Sequence, residues 1–124
     1  MDKKYSGSCH CKAVSFEFYC GTEVNLIKCN CSICSHTNYI HLIIPHQNFY
    51  LLSGKNNLIS YQFNTNLANH YFCGICGIKS FYQPRSHKNS YSINYNSVVN
   101  PPKIIEIISF NGREYERNLE KIIN

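Results

Sequence analysis

Cys29-Asn30-Cys31-Ser32-Ile33-Cys34 places three thiols within six residues, and the fold of the chain has to accommodate that run. Thiols at this spacing can hand three ligands to one metal ion from a single loop. Two pairs flank it, Cys9-His10-Cys11 and Cys73-Gly74-Ile75-Cys76-Gly77. The second pair has the knuckle form, two thiols across a tight turn with glycines where the backbone folds back. No apolar stretch of signal-peptide length follows Met1–Gly7, and no run of eighteen apolar residues occurs. Reduced thiolates on metal in the cytoplasm are therefore expected, with no membrane span, rather than disulfides. Neighbours in a C-x-C pair poorly with each other, which also weighs against a disulfide framework.

Seven of the eight cysteines lie in the three clusters. A structural zinc takes four protein ligands, whereas a catalytic zinc keeps three and leaves one position open. Seven divides as four plus three. Cys9, Cys11, Cys73 and Cys76 form a closed structural site that ties the N-terminal turn to the middle of the chain. Cys29, Cys31 and Cys34 hold a second, catalytic zinc with a vacancy, so two Zn2+ per chain are expected. Two other divisions stay open: one structural zinc with spare buried thiols, and a closed second site completed by Cys20 or a histidine. Cys20 sits in a strand pattern without ligand spacing and reads as core packing. His10 is expected to point away from its neighbours' metal. His36, two residues past Cys34, is a candidate to hydrogen-bond a thiolate or a bound water. His41, His46, His70 and His87 have no spacing that marks them.

The rest of the chain reads as mostly β, one small zinc-stabilised domain over residues 1–124 with several short strands and little helix. Charged residues make up 15 % and aromatics 14 %, a balance that opposes disorder and suits pleated surfaces. Tyr5 to Cys11 reads as a turn-rich opening. Ala13–Cys20 alternates with Val14, Phe16 and Phe18 on one side, and Val24–Lys28 is a short apolar approach to the central loop. Tyr39–Ile44 is β-branched and stops at Pro45, and Pro45–Asn48 suits a single helical turn. Phe49–Leu52, Leu58–Phe63, Ala68–Phe72, Ile78–Tyr82, Tyr91–Tyr95 and Lys103–Phe110 complete about eight strands. A short amphipathic helix is expected in Arg113–Asn124. The net charge of +5 is scattered, without the basic stripe of a nucleic-acid binder.

Three thiolates on Zn2+ leave a complex of formal charge near −1, a poor generator of hydroxide. Such a centre is better suited to bind an incoming thiol, lower its pKa and hold it as a nucleophile. Addition of a thiol to a small electrophile such as an aldehyde is then the natural reaction class.

Gly7-Ser8-Cys9-His10-Cys11, the Cys29–Cys34 run and Phe72-Cys73-Gly74-Ile75-Cys76-Gly77 together resemble the glutathione-dependent formaldehyde-activating enzyme family, also called the centromere protein V family. Ser80-Phe81-Tyr82-Gln83-Pro84-Arg85-Ser86 and Phe110-Asn111-Gly112-Arg113-Glu114-Tyr115-Glu116 look most like its centromere protein V branch. The likeness covers about residues 5 to 117. It implies a β-tent type of fold, a structural zinc on Cys9, Cys11, Cys73 and Cys76, and a catalytic zinc on Cys29, Cys31 and Cys34. The implied reaction condenses glutathione with formaldehyde to S-hydroxymethylglutathione, that of a carbon–sulfur lyase. Many members carry Arg or Lys just after the third cysteine of the trio, where this chain has Ser35-His36, and Tyr115 stands where Trp is common. The first departure removes a cation; Lys79 and Arg85 are possible replacements, with ordinary solvated charges the plainer reading. The competing reading is a non-catalytic, zinc-stabilised binding module for protein or nucleic acid.

Overall fold

The structure, a computed structural model, describes residues 2–63 and 66–111. The expected helix in the tail and the Asn111-Gly112 turn signal fall wholly or partly outside these. Among the described residues there are eleven strands in three small sheets and one α-helix. The architecture is mostly β with little helix, as the sequence predicts. No helix among the described residues is long and apolar enough to cross a membrane.

The first sheet runs β10(Val98–Val99)–β1(Asp2–Ser8)–β2(Ser15–Gly21)–β5(Phe49–Ser53). Of the opening expected to be turn-rich, Tyr5 to Ser8 is strand and Cys9 to Cys11 is turn. Tyr5 lies opposite Phe18 and Gly7 opposite Phe16, and a Cβ at Gly7 would come within 2.5 Å of the Phe16 ring. Glycine suits position 7 because the far end of the Phe16 ring occupies the space a Cβ would need. β2 sends Phe16 and Phe18 inward by alternation, into a cluster with Tyr5, Phe49 and Phe81.

The second sheet carries the chemistry. Its order is β11(Lys103–Phe110)–β3(Glu23–Cys29)–β4(Ile40–Pro45)–β9(Ser90–Asn94)–β8(Phe81–Tyr82). The approach to the central loop is therefore itself a strand, β3, clamped in parallel by β11 from Glu23 to Cys29. β1, β3 and β10 are the strands beyond those expected from the sequence. β4 ends at Pro45, followed by one 3-10 turn over His46–Asn48, and β9 runs antiparallel to β4. Alternation divides this sheet's two faces. Leu42, Ile44, Phe81 and Ile93 enter the hydrophobic core; His41, Tyr82 and Ser92 project from the opposite face and touch one another.

β6(Leu58–Tyr61) and β7(His70–Cys73) form the third sheet. Its link to the second is a bridge between Asn69 and Gln83. Of the expected strand at Ile78–Tyr82 only Phe81–Tyr82 pairs, because Ile78 to Ser80 close the cysteine turn instead: Cys73 N–H donates to the Ile78 carbonyl at 3.0 Å.

Candidate functional site

Seven thiols gather into two groups, each with its sulfurs within 4.8 Å of one another. The eight cysteines are all free. The first group is Cys9, Cys11, Cys73 and Cys76. Cys9 and Cys11 come from the turn between β1 and β2, where Lys12 takes a positive φ and Cys9 N–H donates to the Val14 carbonyl. Cys73 and Cys76 come from the turn after β7, closed by Gly77 N–H on the Cys73 carbonyl at 2.8 Å with Gly77 at φ +78°. The Cys9–Cys11 and Cys11–Cys73 sulfur pairs are 3.7 Å apart. Four thiolates around one tetrahedral ion, with bonds of about 2.3 Å, require about 3.8 Å between sulfurs. The donor set and its spacing fit a bound metal ion. Backbone N–H groups of Val14 and Ile75 point at the Cys9 and Cys73 sulfurs from 3.4 Å, the donors a thiolate accepts from.

Cys29, Cys31 and Cys34 form the second group. Cys29 is the last residue of β3; Cys31 caps α1(Ser32–Thr37); Cys34 lies one turn into that helix and is buried. Asn30 N–H donates to the Phe110 carbonyl, so β11 pins the loop as well as the strand. The helix is too short to show periodicity in the sequence, and Asn38 ends it in the left-handed region at φ 53°. Hydrogen bonds among the three thiols pull Cys31 down, those with Cys29 first and Cys34 next, while the same contacts push Cys34 up. Adjacent thiolates repel, so a cation between the three sulfurs is needed before all of them ionise together. That too fits a metal. Among the described residues no fourth His, Cys, Asp or Glu ligand atom stands within 4.8 Å of all three sulfurs.

Around the trio the structure places residues that spacing did not mark. His41, buried on β4, holds Nε2 3.2 Å from the Cys34 sulfur. Its Nδ1 meets the Ser92 hydroxyl at 2.8 Å and the Tyr82 hydroxyl at 3.4 Å. Burial, then the nearby Lys79 charge, pushes His41 down to about 3, so the ring is neutral. Opposite a Cys34 thiolate, which only accepts, the ring proton sits on Nε2 and Nδ1 accepts from the hydroxyls. This is the arrangement by which an outer residue orients a ligand and fixes its charge.

Lys79 is the larger correction. Far from being a solvated charge, it is 8 % exposed. Its Nζ lies 3.8 Å from the Tyr82 ring centroid, 4.9 Å from that of Tyr39, and 2.6 Å from His70 Nδ1. Burial lowers Lys79 to about 8, opposed by the charges of Cys34, Cys31 and Cys29. His70 stacks on Tyr82 at 4.8 Å and is pushed to about 4, by burial first and Lys79 second. A neutral His70 accepts the Lys79 hydrogen bond. Tyr39, fully buried, donates to the Ser92 carbonyl at 2.6 Å and packs on both His41 and Tyr82.

His36 places its Nδ1 on the Ser32 carbonyl, donating at 2.6 Å on the exposed side of α1. Cys20 is half-buried against the core with its thiol on the Gly21 carbonyl, and burial raises it to about 11. His10 is exposed. An open groove of about 820 Å³, lined by Leu51, Tyr71, Phe81 and Tyr91 among others, contains none of the seven thiols.

Residues 4–109 match the family described as glutathione-dependent formaldehyde-activating enzyme. A crystal structure of a Rhodobacter sphaeroides protein superposes with a TM-score of 0.69 at 35 % identity, covering 77 % of this chain and 91 % of that one. The match spans both thiol groups, His41, His70 and Lys79, and with it the chain belongs to the glutathione-dependent formaldehyde-activating enzyme family.

Proposed function

We propose that this chain is a one-domain cytoplasmic enzyme, a zinc-dependent carbon–sulfur lyase that joins a thiol, glutathione first among candidates, to a small aldehyde such as formaldehyde, or releases it. The observation that carries the reading is the incomplete ligand set of Cys29, Cys31 and Cys34, backed by a buried cation instead of a fourth ligand. Cys9, Cys11, Cys73 and Cys76 would hold a structural zinc, and the trio a catalytic one. When bound there, the trio's zinc lowers the pKa of an incoming thiol and keeps its sulfur in place.

The chain's own residues do the remaining work. His41 donates to Cys34 and sets its orientation and charge. Tyr39 and Tyr82, both buried, keep water from the Lys79 ammonium that lies on their rings. In a site so desolvated, each charge acts more strongly than in water. Sulfur gives a lone pair to the carbonyl carbon, the carbonyl π pair moves to oxygen, and that oxygen takes a proton: one thiol and one aldehyde give one S-hydroxyalkyl adduct. Family membership supports glutathione and formaldehyde as the pair.

The test follows exchange between free glutathione and its formaldehyde adduct by NMR, with zinc-loaded and zinc-stripped protein. Exchange above the spontaneous rate, lost on stripping and restored by zinc, is expected. An unchanged rate with two zinc ions bound would retire the enzyme reading and leave the zinc-stabilised binding module.

A further inference from the structure

A buried ammonium needs compensation, and among the described residues Lys79 finds none in a carboxylate. Its contacts are two tyrosine rings and a neutral histidine nitrogen. The negative charges that act on it belong to Cys34, Cys31 and Cys29. Three thiolates and one divalent cation leave a charge near −1, which a single ammonium balances. The placement is built by the other thiol group: His70 lies three residues before Cys73, and Lys79 three residues after Cys76. The knuckle that brings those cysteines together thus sets His70 and Lys79 side by side, 2.6 Å apart.

We propose that Lys79 is the proton donor of the site: its ammonium, seated on the Tyr39 and Tyr82 rings that pack against the His41 touching Cys34, favours the incoming thiolate and protonates the aldehyde oxygen as the carbon–sulfur bond forms. This rests on the thiol–aldehyde reading given above. The sulfur lone pair becomes the new bond, the carbonyl π pair becomes an oxygen lone pair, and that oxygen takes a proton from Nζ. The neutral amine recovers its proton from the S–H of the next thiol. In the reverse direction the neutral amine removes the hydroxyl proton while the carbon–sulfur pair returns to sulfur. No oxidant or reductant enters.

The neighbours leave Lys79 as the group free to do this. His41 commits Nε2 to Cys34, and its Nδ1 is taken by hydroxyls. The Tyr39 hydroxyl is spent on the Ser92 carbonyl, and burial drives the Tyr82 phenol well above its ordinary range. His36 faces its own helix. The titratable groups in contact with Nζ are His70 from β7, Tyr82 from β8 and Tyr39 just before β4, while His41 of β4 and the three thiols act on it through their fields.

Two variants of the whole zinc-loaded chain separate charge from proton transfer. Lys79→Met removes both; Lys79→Arg keeps a charge that does not deprotonate in proteins. The first readout needs no turnover. In cobalt-substituted protein, 2-mercaptoethanol is titrated and the sulfur-to-cobalt charge-transfer band followed. Lys79→Met should weaken thiol capture at neutral pH by about tenfold and raise its pH midpoint by about one unit, while Lys79→Arg stays near wild type. Equal midpoints in wild type and Lys79→Met overturn the inference. The second readout is glutathione–formaldehyde exchange, where both variants should lose on the order of 100-fold in kcat with a much smaller change in KM. Wild-type exchange in Lys79→Arg overturns proton donation, and this variant decides that half even where Lys79→Met loses metal. Absence of exchange above background in wild type removes the reaction, while the cobalt titration still decides whether Lys79 serves the open site.

Discussion

Cys9 and Cys11 meet Cys73 and Cys76 from turns some sixty residues apart, whereas Cys29, Cys31 and Cys34 come from one loop and the first turn of one helix. The surroundings differ as sharply as the connectivity. Backbone N–H groups of Val14 and Ile75 face the first group; the second has one such donor, Cys31 N–H on the Cys29 sulfur at 3.4 Å, and beyond it the side chains of His41, Lys79, His70 and Tyr82 gather. Backbone donors are fixed by the turn and do not titrate, so the four-sulfur group is suited to hold. Side chains can move protons and tune charge, so the three-sulfur group is suited to react. The two are not independent, since the knuckle of the first carries the His70–Lys79 pair of the second. A family of closely similar sulfur clusters can thus divide structure from chemistry by what stands behind the sulfurs.

Cys73→Ala is the harshest way to test this division. Cys73 is 1 % exposed, and binding at structural zinc sites supplies about 10–16 kcal/mol in small peptides, comparable to a whole domain's stability. Loss of cooperative thermal unfolding is expected, followed by circular dichroism. Cys31→Ala should release one metal ion of two in native mass spectrometry, shift Tm by only a few degrees and reduce thiol–aldehyde exchange to background. If it unfolds the chain as thoroughly as Cys73→Ala, the two groups do the same job and the comparison breaks.

His41→Asn keeps a polar group but loses the ring contact to Cys34. Metal affinity at the trio should fall about 10- to 100-fold in a competition with a chromophoric chelator, with the four-sulfur group unaffected. A smaller effect concerns acid. His70 sits at about 4 in the fold, below its ordinary 6.5. The unfolded chain therefore binds more protons between these values, and stability present above about 6.5 is lost as pH falls toward about 4. His70→Gln should flatten the fall of Tm across that window relative to wild type; parallel curves would show that His70 stays neutral without cost. Last, His36→Ala should leave metal content and exchange unchanged and stability within about 0.5 kcal/mol, as expected of an exposed side chain.

Much of this was legible because it is local. Tyr39–Ile44 announces a strand through β-branched residues and stops at Pro45, and β11 matches its expected limits, Lys103–Phe110. The thiols announce themselves by spacing alone. What spacing could not give is partnership across the chain: His41 meets Ser92, and Lys79 meets Tyr39, through registers that only the assembled sheets create. Lys79 looked like any surface lysine because its burial needs Tyr39 and His70, which only the assembled sheets bring to it, as well as the nearby Tyr82. β1 was missed for a different reason. Lys3, Lys4, Ser6 and Gly7 give it little β propensity, and its place is set by pairing with β2 along its whole length. α1 was missed because six residues hold less than two turns, stabilised by its own side chains, with the Thr37 hydroxyl on the Ile33 carbonyl.

The parallel pairing of β3 with β11 has a consequence for the order of assembly. Parallel strands need a long crossover, and this pair brings Cys29 beside Phe110. During synthesis the three thiols of the trio emerge early, yet the strand that clamps their loop is not available until some eighty residues later. The four-sulfur group has all its ligands by Cys76 and can close first, presenting His70 and Lys79 before the loop they are to meet is fixed. Non-local closure of this kind slows folding. On the growing chain the staple precedes the reactive centre, so metal captured by the trio before β11 docks would be held by an unframed loop.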